Sequence, residues 1–127
     1  MKLAMIGLGK MGGNMATRLV QKGISVVGFD RSAEVVKTLE EKANIIGANS
    51  IADAVAKLDG QKILWLMVPA GNATEEQIKE LVPMLNKGDI IIDGGNSNYK
   101  DSQRIGKFLE EKGIGFMDCG TSGVYGV

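Results

Sequence analysis

The chain has 127 residues, which is enough for one domain with one sizeable core. Its 15 basic residues balance 15 acidic ones, so the formal charge gives no sign of a nucleic-acid or membrane partner. The absence of histidine and the single cysteine exclude His-ligated and thiolate-rich sites, so we expect no metal. The lone cysteine, with no signal peptide and no membrane-spanning apolar run, predicts a cytoplasmic protein.

Short apolar runs alternate with helical patterns along the chain. The runs predict strands at residues 3–6, 24–29, 45–46, 62–68, 89–93 and 114–117. The helical patterns predict five helices, of which the first spans residues 11–22 and the last spans residues 98–112. The three helices between them each begin at a predicted cap: at Ser32 and running to about 42, at Ser50 and running through 58, and at Thr74 and running to about 85. We expect Gly23 to end the first helix, and most of the seven methionines to fill the core with Trp65.

Apolar strands that alternate with helices indicate a sheet buried on both faces. Such strands are typical of a parallel sheet in an α/β protein. We therefore predict one domain over residues 1–127, a Rossmann-type α/β fold whose doubly wound parallel sheet has the strand order 3-2-1-4-5-6.

Three glycines form the pattern G-x-G-x-x-G between the first predicted strand and the first predicted helix. Gly7 allows a tight turn, Gly9 lets the backbone approach a pyrophosphate, and Gly12 lets the helix pack close to the strand. Free N–H groups at the helix N-terminus then meet the phosphates. The alternatives are a βα turn without a ligand and an S-adenosylmethionine site, and a helix that starts inside the complete pattern argues against the latter. The pattern assigns the whole loop to cofactor binding: Gly7, Leu8, Gly9, Lys10, Met11 and Gly12.

The second predicted strand ends at Asp30, which is followed by Arg31. An acidic residue at this spacing accepts the ribose hydroxyls of NAD. The guanidinium of Arg31 would instead hold a 2′-phosphate, or it is a solvated loop charge. Asp30 repels a 2′-phosphate, so the sequence favours NAD as the cofactor, with NADP tolerated.

Three loops follow the fourth, fifth and sixth predicted strands, and ligands of open α/β sheets bind at that edge. Residues 68–72 form an ordinary Pro-Gly turn or border a nicotinamide ring. Residues 93–98 offer amide and hydroxyl groups, although local physics favours Ser97 or Asn98 as a helix cap. Residues 118–123 offer hydroxyl and backbone donors at the same edge.

Residues 7–16, Gly-Leu-Gly-Lys-Met-Gly-Gly-Asn-Met-Ala, resemble the opening of the 6-phosphogluconate dehydrogenases and their β-hydroxyacid dehydrogenase relatives. Residues 91–97, Ile-Ile-Asp-Gly-Gly-Asn-Ser, are similar to the signature of the 6-phosphogluconate dehydrogenases themselves. Residues 120–123, Gly-Thr-Ser-Gly, resemble the substrate loop of their shorter, NAD-preferring branch.

The resemblance implies oxidative decarboxylation of a sugar acid, 6-phosphogluconate, to ribulose 5-phosphate in the pentose phosphate pathway, with reduction of NAD or NADP. It implies that Asn96, Ser122 and Gly123 contact the sugar acid and that Asn96 also lies near the nicotinamide. The resemblance also implies that the cofactor is bordered by Val68, Pro69 and Ala70. Val124 departs from the family pattern, which has a second glycine there.

The catalytic lysine and acidic residue of these enzymes correspond to positions beyond Val127, on the way into a helical domain that forms most of the dimer. We therefore expect no catalytic residue within this chain, cofactor binding without turnover, and self-association or a homo-oligomer. Two alternatives stay open: a stand-alone nucleotide-binding sensor or interaction module, and a domain of another β-hydroxyacid dehydrogenase.

Overall fold

The computed structural model describes residues 2–67, 72–94 and 99–118, with the backbone alone at 72–74, 99–102 and 118. The strands in these ranges are β1 (Lys2–Ile6), β2 (Ser25–Phe29), β3 (Ile46–Gly47), β4 (Ile63–Leu66), β5 (Ile90–Asp93) and β6 (Gly115–Asp118). The helices are α1 (Lys10–Gln21), α2 (Ala33–Ala43), α3 (Ile51–Ala56), α4 (Asn72–Leu81) and α5 (Tyr99–Glu111), with a 3₁₀ turn at Val82–Met84.

The strands form one parallel sheet whose order, β3-β2-β1-β4-β5-β6, confirms the predicted order. The chain begins in the middle of the sheet, runs outward to β3 and crosses back to β4. Ile6, the last residue of β1, is in register with Phe29 on one side and Leu66 on the other. The glycine loop therefore starts at the point where the winding direction reverses, which is where open α/β sheets bind their ligands.

Both faces of the sheet are buried, because side chains alternate between two apolar clusters along each strand. In β1, Ala4 and Ile6 belong to the cluster under α3, α4 and α5, whereas Leu3 and Met5 belong to the cluster under α1 and α2. Leu64 in the central strand β4 is fully buried. The sheet is thus covered by apolar side chains on both faces, and its carboxyl edge positions the glycine loop that follows β1.

The helix ends follow the predicted signals in α1, α2 and α3. The Ser32 hydroxyl accepts from the backbone N–H of Val35 at 3.4 Å, and the Ser50 hydroxyl accepts from that of Asp53 at 3.0 Å. Both serines therefore cap their helices, as expected. Gly23 has φ +90°, a left-handed conformation that ends α1 without steric cost to a side chain.

Two expectations about helix α4 are wrong. Helix α4 begins at Asn72, so Thr74 lies inside it and is not its N-cap. The α-helix ends at Leu81 rather than near residue 85, because Pro83 has no N–H to donate and the last turn is 3₁₀.

The expectation that most methionines fill the core is confirmed, since Met5, Met15, Met67 and Met84 belong to the two apolar clusters. Met11 and Met117 are the exceptions in the described ranges, at 54% and 49% exposed, because one lies at the start of α1 and the other on an edge strand.

Candidate functional site

The glycine loop turns sharply out of β1. Gly7 has φ +98°, which L side chains rarely adopt, and a Cβ on it would lie 2.6 Å from the carbonyl oxygen of Met67. Its own N–H donates to the carbonyl of Phe29 at 2.8 Å. Gly7 is therefore required for the turn itself, before any ligand is considered.

Gly9 and Gly12 differ in what surrounds them. A Cβ on Gly12 would overlap the carbonyl oxygen of Gly7, so the first turn of α1 packs directly on the loop backbone. A Cβ on Gly9 would meet no atom within 4 Å, so the space beside it is open. This open space is the place where a ligand could approach the backbone, and it fits the phosphate group that the motif predicts.

The N-terminus of α1 has the features of an anion-binding helix end. Gly9 is its N-cap and provides no side-chain hydrogen bond, and the first turn carries no acidic side chain. The first helical hydrogen bond runs from the N–H of Gly13 to the carbonyl of Gly9 at 2.7 Å. The N–H groups of Lys10, Met11 and Gly12 therefore have no partner within the helix, and the positive end of the helix dipole adds to their attraction for phosphate.

The Asp30 carboxylate joins the glycine loop to the end of β2. Its Oδ1 accepts the backbone N–H of Leu8 at 2.8 Å, and its Oδ2 accepts the backbone N–H of Ser32 at 2.9 Å. Each carboxylate oxygen can accept a further hydrogen bond. Asp30 thus holds the loop in shape and keeps acceptor capacity for a ligand, a double role that its sequence position did not reveal.

A cavity of about 620 Å³ opens beside the loop, within the size range of cofactor sites. One wall contains Asp30 and the exposed Arg31, and the opposite wall is formed by α4. The lining also includes Ile6, Gly7, Gly9, Phe29, Ile51, Met67, Gln77 and Glu80. Gln77 and Glu80 were not anticipated from the sequence, because only the fold brings α4 opposite the end of β2.

The other residues of the predicted loop lie in different surroundings. The side chain of Leu8 is buried in the core near Gly28, so Leu8 can serve a ligand only through its backbone. Lys10 is exposed and lines a shallow depression between α1 and α2, outside the cavity. Met11 is exposed at the start of α1.

Six of the predicted site residues lie outside the described ranges. The described strands that precede them end side by side, with Leu66 of β4 in register with Asp93 of β5, and Asp93 in register with Asp118 of β6. Asp93 is fully buried. The predicted residues concerned are Val68, Pro69, Ala70, Asn96, Ser122 and Gly123.

Electrostatic perturbation and metal-ligand clusters do not mark another site. The pKa of Asp53 in α3 is lowered, first by the hydrogen bond from Lys57 and then by the N–H of Asn49, and Asp53 is not among the residues that line the cavity. In residues 2–67, 72–94 and 99–118, no group of three or more carboxylate, thiol or imidazole side chains could hold a metal ion. The helices in those ranges are too short or too polar to cross a membrane.

The sequence profile described as the NAD binding domain of 6-phosphogluconate dehydrogenase matches residues 2–126. The chain belongs to this family. The match confirms the resemblance stated from the motifs. It also confirms the assignment of the chain as an NAD(P)-binding domain with a Rossmann fold, since the family's description names the ligand and the structure shows the fold.

Curated relatives of this NAD-binding domain include both cofactor types. The Haemophilus influenzae 6-phosphogluconate dehydrogenase, decarboxylating, is 44% identical over 125 residues, which cover 95% of this chain and 26% of the relative. An NAD(+)-dependent enzyme of Haloferax volcanii is 42% identical, with 97% of this chain and 40% of the relative covered. An NADP(+)-dependent enzyme of Bacillus subtilis is also 42% identical, with 96% of this chain and 27% of the relative covered. The chain thus spans about a quarter to two fifths of these relatives.

Solved structures agree with the fold. The Plasmodium falciparum 6-phosphogluconate dehydrogenase superimposes with a TM-score of 0.86 at 29% identity, covering 93% of this chain and 27% of that one. A Mycobacterium tuberculosis 3-hydroxyisobutyrate dehydrogenase superimposes with a TM-score of 0.82 at 24% identity, covering 92% of this chain and 39% of that one. This likeness shows the fold alone.

Proposed function

We propose that the chain is the cofactor-binding part of a decarboxylating 6-phosphogluconate dehydrogenase and that it prefers NAD to NADP. The observation that carries the proposal is the cavity in which the open glycine loop and the Asp30 carboxylate meet. The 42–44% identity to enzymes named for that activity supports the reaction class.

The loop would hold the pyrophosphate of the cofactor through backbone groups. The N–H groups at the start of α1 are donors of fixed direction, and Gly9 leaves space for the phosphate to come close. Because these donors belong to the backbone, their arrangement depends on the two bonds that hold the loop, from Gly7 to Phe29 and from Leu8 to Asp30. This arrangement is independent of the choice between NAD and NADP.

Asp30 would select NAD. Its carboxylate oxygens are held by backbone N–H groups and can each accept one ribose hydroxyl, whereas a 2′-phosphate would bring like charges together. Arg31 lines the same wall and is exposed, so its guanidinium offsets part of this repulsion. The expected outcome is a preference for NAD with measurable binding of NADP.

The bound nicotinamide would accept a hydride from the hydroxyl-bearing carbon of the sugar acid, and this chain would bind and orient the two. We propose that the loops after β4, β5 and β6 contact both molecules, because the strands before them end in register at one edge. Val68, Pro69 and Ala70 would border the cofactor, and Asn96, Ser122 and Gly123 would contact 6-phosphogluconate.

Calorimetric titration of the purified chain with NAD and with NADP tests cofactor binding. Tighter NAD binding supports the role of Asp30, and tighter NADP binding would transfer the decisive role to Arg31. A separate assay follows NADH absorbance after addition of 6-phosphogluconate and NAD. We expect binding without NADH production, and measurable production by the isolated chain would contradict the proposal that this domain alone binds the cofactor without turnover.

We also propose that the isolated chain self-associates. In the described part of the chain, β3 and β6 are the edges of the sheet, and Ile46 and Met117 on them are 37% and 49% exposed. Strand edges with apolar side chains favour pairing with another chain. Sedimentation velocity at increasing concentration should show a growing dimer fraction. A strictly monomeric chain would instead favour a stand-alone nucleotide-binding module.

A further inference from the structure

The α4 wall of the cavity carries a carboxylate to which the proposed function gives no role. Glu80 lines the cavity together with Gln77, opposite Asp30 and Arg31. The amide Nε2 of Gln77 donates to Oε2 of Glu80 at 3.2 Å. This bond between neighbouring turns of α4 holds the Glu80 carboxylate on the side of the helix that faces the cavity.

The charges on the cavity lining favour a ligand without extra negative charge. Its charged side chains are the carboxylates of Asp30 and Glu80 and the guanidinium of Arg31. Arg31 forms no ion pair with any residue that the structure describes, so neither carboxylate neutralises it by direct contact. A monoester phosphate adds between one and two negative charges at neutral pH. Glu80 would then repel such a phosphate across a space that is only partly open to solvent.

We propose that Glu80 is a second specificity-determining residue, which disfavours the 2′-phosphate of NADP from the wall opposite Asp30. The proposal rests on the proposed cofactor function of this cavity. Asp30 would act by direct contact with the ribose, whereas Glu80 acts through space. Its effect therefore falls on NADP, which has the 2′-phosphate, and not on NAD, which has a neutral hydroxyl there.

Glu80 is suited to a test by substitution because it is exposed and outside both apolar clusters. Its described hydrogen bond is the one from Gln77, and a glutamine at position 80 keeps an oxygen acceptor for it. Glu80→Gln thus removes one charge and little else. Glu80→Lys reverses the charge at the same place and should enlarge the effect.

The experiment is calorimetric titration of wild type, Glu80→Gln and Glu80→Lys with NAD and with NADP, at low and at high salt. For a single exposed charge facing a phosphate, we expect Glu80→Gln to raise NADP affinity about three- to tenfold at low salt. NAD affinity should change by less than about twofold, because the ribose hydroxyl carries no charge. Glu80→Lys should exceed the gain of Glu80→Gln, and high salt should reduce both gains.

Glu111→Gln is the matched control, because it makes the same change in net charge at an exposed position at the end of α5, outside the cavity. It should leave the ratio of NADP to NAD affinity at the wild-type value. Circular dichroism should show the same helix content in all variants.

The outcomes separate this inference from the proposed function. If wild type binds NAD and the affinity ratio is the same in Glu80→Gln, Glu80→Lys and Glu111→Gln, the role of Glu80 is refuted and the proposed function stands. An equal gain for NAD and NADP in the Glu80 variants would also refute it, since the effect would not depend on the 2′-phosphate. If wild type binds neither nucleotide, the proposed function itself fails, and the inference fails with it.

Discussion

Alanine at Gly12 should lower the stability of the fold, whereas alanine at Gly9 should weaken ligand binding, although both positions belong to the same motif. The reason is the different space around the two Cα atoms. A Cβ on Gly12 would overlap the Gly7 carbonyl oxygen, whereas a Cβ on Gly9 would meet nothing within 4 Å. The first substitution disturbs the folded chain itself, and the second disturbs only the approach of a ligand.

For Gly12→Ala the clash is with backbone, so a side-chain rotation cannot relieve it. The Gly7 turn is held by the bond to Phe29 and by its left-handed φ, so α1 must shift instead. Overpacking of this kind costs about 1–3 kcal/mol, and a helical Gly→Ala change gives back up to about 1 kcal/mol. We expect a net loss of about 1–2 kcal/mol, which corresponds to a urea midpoint lower by about 0.5–1 M.

For Gly9→Ala the backbone is compatible with alanine, since φ is −65° and ψ is −168°. Alanine is a poorer N-cap than glycine by about 1 kcal/mol, and the lower conformational freedom of alanine in the unfolded chain offsets part of this cost, so stability should change by less than about 1 kcal/mol. The added methyl group occupies the space where the backbone would meet the pyrophosphate. We expect NAD affinity to fall at least about tenfold, or 1.4 kcal/mol.

The assay combines urea unfolding, followed by circular dichroism, with calorimetric titration of NAD on the same preparations. The reasoning is refuted if Gly12→Ala unfolds at the wild-type urea concentration. It is refuted equally if Gly9→Ala binds NAD as well as wild type, because the open space beside Gly9 would then not be where the phosphate approaches.

Three further predictions concern the anchor of the glycine loop, the core, and an ion pair at helix α3. Asp30→Asn replaces one acceptor oxygen with a donor, so it should cost about 1–2 kcal/mol in urea unfolding and weaken NAD binding by calorimetry; unchanged values for both would contradict the anchoring role. Leu64→Ala, at a fully buried position, should cost about 2–5 kcal/mol in urea unfolding, and a loss below about 1 kcal/mol would contradict its burial. The Nζ of Lys57 donates to Oδ2 of Asp53 at 2.9 Å, and this bond lowers the pKa of Asp53 below its ordinary value of 3.8. The pair therefore stabilises the fold above pH 3.8, and this stabilisation is lost as the pH falls through the lowered pKa of Asp53. Lys57→Met should make the free energy of unfolding depend less on pH at the acid end. An unchanged pH dependence would refute the linkage.

Local sequence signals predicted the elements and their connections well, for physical reasons that act over a few residues. Ser32 and Ser50 cap their helices because a hydroxyl reaches an N–H three residues ahead in either case. The strand order followed from the alternation of strands and helices with a glycine loop after the first strand. The prediction was wrong about both ends of α4, which begins at Asn72, before Thr74, and ends at Leu81, before Pro83.

The site was predicted less completely, because its second wall comes from a distant helix. The loop from Gly7 to Gly12 and the residue Asp30 were evident from spacing alone. Nothing near Gln77 or Glu80 in the sequence marks them, since their place opposite Arg31 depends on how α4 packs beside the sheet. The roles of Asn96, Ser122 and Gly123 stay predictions.

The sequence by itself determined the family, the fold class and the position of the glycine loop, because a glycine motif between a strand and a helix carries its own geometry. Only the tertiary structure decided that Asp30 bonds the loop as well as facing the cavity, and that Gly9 faces open space while Gly12 faces backbone. The physical reason is that hydrogen bonds and free space are relations between atoms of segments far apart in the chain. Such relations exist only once the sheet has brought β1, β2 and α4 together.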